Sequence, residues 1–149
     1  MASAVFNSCK GRLLGDDSIV GTAINLKTDT IKLSLHSSSY TPNVDDDEFF
    51  DDVDNEVSSS GTYTAGAAGG YTLTTSVSTD DTDDEGVFDA TDVSITGATI
   101  TARYAVIRKD TGTASTSPLV LVIDFGSTQT STAGTFAITF ASEGILNLN

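Results

Sequence analysis

Apolar and polar residues alternate from Thr99 to Lys109, TITARYAVIRK, with Ile100, Ala102, Tyr104 and Val106 on one parity and Thr99, Thr101, Arg103 and Lys109 on the other. That period predicts a strand with one wet face. Pro118 to Phe125, PLVLVIDF, is apolar on both parities until Asp124, as expected of a strand covered on both sides. Between them Asp110, Thr111 and Gly112 mark a turn. The two segments predict a long hairpin at the centre of an all-β domain.

The same pattern extends in both directions. Ile31, Leu33 and Leu35 alternate with Lys32, Ser34 and His36, giving a half-buried strand over Thr30 to His36 with His36 on its polar, exposed side. Further strands are predicted over Gly70 to Ser78, Gly86 to Ala90, Val93 to Thr96, Gly134 to Ala141 and Ile145 to Leu148, with Gly97 turning the chain into the strand at Thr99. Val5, Phe6, Cys9, Leu13 and Leu14 fall near helical spacing, so Ser3 to Leu14 predicts one short amphipathic helix, ended by Gly15, Asp16 and Asp17 and followed by a loop containing Gly21. Residues 37–70 show neither period. They predict a long acidic loop, with a helical turn over Asn43 to Val53 anchored by Phe49, Phe50 and Val53. A loop of this length is ordered by contacts or serves a function, and this one is expected to lie across a neighbour. The fold predicted is mainly β: one domain over residues 1–149, a β-sandwich or two-sheet barrel with a short N-terminal helix at 3–14 and the long loop at 37–70.

Composition narrows the partners. The 149 residues carry 21 Asp and Glu against seven Lys and Arg, a formal net charge of −14. Such a surface repels phosphate and anionic membranes, so neither nucleic acid nor membrane is an expected partner. No apolar run is long enough to span a bilayer and no secretion-signal pattern opens the chain, so a soluble, unprocessed protein is expected. The single cysteine, Cys9, excludes an internal disulfide and reads as a small buried apolar group.

The chemistry-bearing residues do not assemble into a catalytic pattern. Fourteen of the 21 acidic residues lie in two runs, Asp45 to Asp54 and Asp80 to Asp92. Within the second, Asp81, Asp83, Glu85, Gly86 and Asp92 occupy positions 1, 3, 5, 6 and 12 of a calcium-loop spacing. Position 12 is Asp where the bidentate Glu belongs, and the flanks read as strands, so no metal is expected. There is no tryptophan platform for a sugar, no second His or Cys beside His36, and no Lys-Ser/Thr after the glycines at 66–70. No enzyme and no cofactor are predicted. Arg103, Arg108 and Lys109 form the one basic cluster of the hairpin, either a solvated strand face or the place where an acidic loop of a neighbouring copy lands. Together with Phe49 and Phe50 they are the candidate interface residues.

Several phrases resemble a family of small acidic virion proteins of tailed bacteriophages: the helix ending in Leu-Leu-Gly, TDTIKLSLHSSSYTPNVDDDEFFDDVDNEVSSSGTYTAG, DDTDDEGVFDATDVSITGATITARYAVIRKDTG, SPLVLVIDFGS and the terminal TFAITFASEGILNLN. The departure is at Ala67 and Ala68, in the turn from Tyr63 to Tyr71. What the resemblance implies is a structural protein of the virion, made in the host cytoplasm. Its expected role is to decorate or cement the capsid in many copies, with the major capsid protein and copies of itself, in a symmetric homo-oligomer, as partners. A tail or neck component and a carbohydrate-binding β-sandwich for adsorption are the alternatives.

Overall fold

The computed structural model describes residues 2–15 and 23–149. Its strands are β1 (Ala4–Val5), β2 (Ile31–His36), β3 (Tyr71–Thr72), β4 (Thr75–Asp80), β5 (Glu85–Ala90), β6 (Val93–Lys109), β7 (Leu119–Ile138) and β8 (Leu146–Leu148), with one helix, α1 (Asn7–Leu13). They make a five-stranded sheet in the order β1-β7-β6-β2-β3 and a three-stranded sheet β4-β5-β8, antiparallel throughout. Side chains of both, such as Leu33, Val106 and Leu121 from the first and Phe88 and Ala90 from the second, share one buried cluster. The chain is thus a two-sheet β-sandwich and not a closed barrel.

The predicted hairpin is longer than its periodicity announced. Val93–Thr96 and Thr99–Lys109 fall in one strand, and Leu119–Phe125 and Gly134–Ile138 are joined by Gly126–Ala133 into another, which leaves Pro118 and Thr139–Ala141 of the predicted segments outside it. Gly97 is a bulge in place of the expected turn: its φ is +63°, and pairing slips one residue between Ile95↔Phe136 and Ala98↔Gly134. The buried parity switches there from Val93 and Ile95 to Ala98, Ile100 and Ala102, so the extra residue keeps one face inward along the strand. β7 carries its own extra residues, because Ala102↔Gln129 and Tyr104↔Asp124 leave Phe125–Thr128 unmatched. The ribbon bends sharply in consequence. Phe125 and Phe136 would lie roughly 35 Å apart on a straight strand; their ring centroids are 6.1 Å apart.

Other predicted elements are corrected in detail. The strand over Gly70 to Ser78 is broken at Leu73 and Thr74, where the chain passes from one sheet to the other. Leu73 N–H donates to Ile31 C=O, and Thr74 C=O accepts from Thr91 N–H. The helix expected over Ser3 to Leu14 is confined to Asn7–Leu13, because Ala4 and Val5 pair with Val122 and Leu121 at the edge of the first sheet. An available sheet edge outcompetes a first turn containing β-branched Val5. The residues after Gly15 through the loop at Gly21 fall outside those described.

The long segment between β2 and β3 is ordered by packing on its own sheet. Glu56 bridges His36, Val57 N–H donates to Leu35 C=O, and Phe49 bridges Pro118. Tyr63, fully buried, donates its hydroxyl to Glu56 at 2.7 Å and accepts the Leu35 N–H at 2.9 Å. Farther on, Thr62 N–H donates to Thr96 C=O and Thr99 N–H to the Ser60 hydroxyl, which caps the free edge of β6 across the Gly97 bulge. Gly61 makes this approach possible, since a Cβ there would stand 2.1 Å from the Thr96 carbonyl oxygen.

Candidate interaction surface

The basic cluster does not act as a unit. Arg108, a candidate for contact with another copy, is completely buried in its own chain, and Phe50 with it. The Arg108 guanidinium lies 3.6 Å from the Phe50 ring centroid and donates to the carbonyl oxygens of Gly69, Ala67 and Gly66 at 3.0, 3.3 and 3.4 Å. Thus the Ala-Gly turn at 66–69 is a cradle of carbonyls around a cation. Gly69 is required for its closeness, since a Cβ would fall 2.4 Å from Thr64 C=O. Burial pulls the Arg108 pKa down, opposed by Glu56, whose carboxylate fastens the same turn through Gly66 N–H. β6 therefore buries both faces at Ala105–Arg108, and parity could not reveal it: Arg108 shares the parity of Tyr104 and Val106.

Arg103 forms a two-pronged pair with Asp124, Nε to Oδ1 at 2.7 Å and Nη2 to Oδ2 at 3.0 Å, and also donates to Gly126 C=O. It fastens the β7 bulge. Lys109 pairs with Asp29 at 3.0 Å and donates to Ala23 C=O, tying the segment before β2 to the hairpin. Phe49, half-buried, lies under the Arg12 guanidinium at 4.8 Å. Each of the five candidate residues has an intrachain partner.

His36 overturns its expected exposure. It is fully buried, as is Ser34, because the returning segment at Asp54–Val57 covers the polar face of β2. Its Nδ1 lies 2.7 Å from Asp54 C=O, an acceptor only, so Nδ1 carries the proton and Nε2 accepts from the Ser34 hydroxyl at 2.9 Å. Burial pulls its pKa from 6.5 to about 4. Buried Cys9 is pushed up to about 11 by desolvation, against the pull of Arg12 and Lys10, and is inert as a nucleophile at neutral pH.

The calcium-like spacing is pulled apart by the fold. Asp81 and Asp83 sit at the β4–β5 hairpin, while β5 runs extended between Glu85 and Asp92, separating them by roughly 20 Å. Asp92 instead accepts the Phe140 N–H at 3.0 Å. Among the described residues no three His, Cys, Asp or Glu side chains are grouped to hold a metal ion.

What the surface does present is apolar. An open groove of about 370 Å³ crosses the three-stranded sheet, walled by Leu13, Ile24, Leu26, Val87, Phe88 and Leu146, with Val77 and Leu148 on its rim. Val77 and Leu148 are 41% and 58% exposed, and Leu14, beside Leu13, is 89% exposed. Two of the three exposed large hydrophobic side chains among the described residues, Val77 and Leu148, therefore stand at this groove. Hydrophobic periodicity could not find it, because Leu13, Ile24, Val77 and Leu148 belong to four separate segments. No family model matches this chain, and neither the curated proteins nor the solved structures contain a match to it.

Proposed function

We propose that the chain is a structural protein of a bacteriophage particle that docks in many copies on the outside of an assembled capsid shell. The observation that carries the reading is the apolar groove of the three-stranded sheet, with Val77 and Leu148 exposed at it on an otherwise acidic molecule. A contiguous apolar patch rimmed by polar residues is the signature of a protein contact. The partner it suits is apolar at its centre and neutral or basic around it, since a charge of −14 repels acidic surfaces. A protein that binds only the assembled shell stabilises it by mass action.

The test is made on purified particles of the phage that encodes the chain, stripped of it and then re-exposed to wild type or to Val77→Asp, with bound copies read by gel densitometry. Decoration gives on the order of hundreds of copies per particle and lost rebinding by the variant, whereas a neck ring gives about six or twelve. Absence of the chain from the particles, or full rebinding by Val77→Asp, overturns the proposal.

A further inference from the structure

From Phe125 to Ser142 the chain has no charged residue, a run of eighteen in a molecule of −14. Its central part, Gly126–Thr135, is almost wholly exposed. This part of β7 pairs with β6 on one side only; β1 reaches no farther along β7 than Ala4↔Val122. Among the described residues no other backbone hydrogen-bonds to it. An open edge normally carries guards: Lys, Pro or an inward-pointing charge. This stretch has none of these; its bulges, at Phe125–Thr128 and Ala133, bend it on either side of Gln129 but leave Gln129–Ser131 regularly paired, with the outer side open. The opposite edge of the same ribbon, at Thr96–Thr99, is covered by the loop through Ser60 and Thr62.

The sequence of the open edge is also its own mirror. Ser127-Thr128-Gln129-Thr130-Ser131 reads identically in both directions about Gln129. Two such strands placed antiparallel about a two-fold axis through Gln129 set Thr128 opposite Thr130 and Ser127 opposite Ser131. Cross-strand Thr pairs of this kind are favourable, and a two-fold contact requires the same patch from both copies. A shallow hollow of about 270 Å³ beside Gln129, lined by Phe125, Phe136 and Ile138, adds apolar area next to that axis. Two copies of this charge repel over most of their surfaces, so an uncharged edge is where they can approach.

We infer that the Gly126–Thr135 edge of β7 is a self-association site, at which a second copy of this chain adds its own β7 edge antiparallel about Gln129 to make one sheet across the pair. The inference rests on a different surface from the shell-docking groove and stands or falls without it.

Sedimentation equilibrium of the purified chain, with Gln129→Glu, Gln129→Lys and an equimolar mixture of the two, tests it. Gln129 is exposed, so both variants are expected to keep the wild-type melting temperature. Wild type dimerises, and more tightly as salt screens the net charge. Each variant, placing like charges across the axis, dimerises about tenfold more weakly or worse, and the mixture recovers the dimer as the Glu–Lys pair. A monomeric wild type, variants that dimerise like wild type, or a mixture that does not recover the dimer each overturns it.

Discussion

Acid is expected to destabilise this protein through His36 before its carboxylates titrate. The ring is neutral in the fold, held by Asp54 C=O at Nδ1 and the Ser34 hydroxyl at Nε2, with Tyr40 5.2 Å and Phe50 6.3 Å away between ring centroids. A second proton would put a charge in a dry site already near the Arg108 cation and would turn Nε2 from acceptor to donor, leaving the Ser34 hydroxyl only the longer contact to Val106 C=O, at 3.4 Å, as its acceptor. The pKa is therefore depressed, from 6.5 to about 4, chiefly by burial. The unfolded chain takes up the proton first on acidification, so stability is undiminished above pH 6.5 and falls between 6.5 and about 4. The full loss is about 3 kcal/mol, and by pH 5 about 2 kcal/mol of it is expected. Urea unfolding at pH 7.5, 6.5, 5.5 and 5.0 measures this, with His36→Gln as the control. The variant is less stable at pH 7.5, having lost the paired imidazole, but its curve is flatter over the window. If wild type and His36→Gln lose stability in parallel from pH 6.5 to 5.0, His36 is not the titrating group.

Two further predictions concern the long segment. Gly61→Ala forces a Cβ against the Thr96 carbonyl at a positive φ, and should cost about 2–4 kcal/mol in chemical denaturation; hydrogen exchange should show Thr96 and Thr99 amides less protected. Arg108→Lys keeps the charge but loses the planar stack on Phe50 and withdraws the nitrogen, Nη2, that donates to Gly66, Ala67 and Gly69. It should lose about 2–4 kcal/mol, and an unchanged denaturation midpoint would refute the carbonyl cradle.

Much of the fold could be read in the sequence, and what could not has physical causes. The hairpin, the alternation of β2 and the all-β class follow from period two, which side-chain burial imposes directly. The Gly97 bulge was also visible in principle: the apolar parity slips by one between Ile95 and Ala98, and a glycine stands at the slip. Periodicity reports only whether a face is wet, however, not what covers it. His36 and Arg108 look solvent-facing or ambiguous on their own strands and are buried by residues 20 to 40 positions away in sequence, the Asp54–Val57 and Gly66–Gly69 turns. β7 hid for the opposite reason. Ser127 to Thr132 has no apolar period because neither of its faces is buried, so an extended strand looked like a loop. The groove was illegible because its walls come from elements that only the tertiary fold brings together.

The β6–β7 ribbon also dictates an order of events during synthesis. β2 finds its partner in β6, Leu33 opposite Ile107, and β1 finds its own in β7, Val5 opposite Leu121. The first third of the protein therefore leaves the ribosome before either of these long partners exists. Its apolar strand Ile31–His36 gains the Glu56–Val57 bridge and the short β3 along one edge, but the long partner on its other edge, β6, only when the hairpin emerges. The hairpin is the most local pairing of the first sheet and can close as soon as the turn at 110–118 is out, after which β2 and β1 join a template already formed. The acidic segment made between them, with Asp45 to Asp54, keeps the waiting chain charged and soluble.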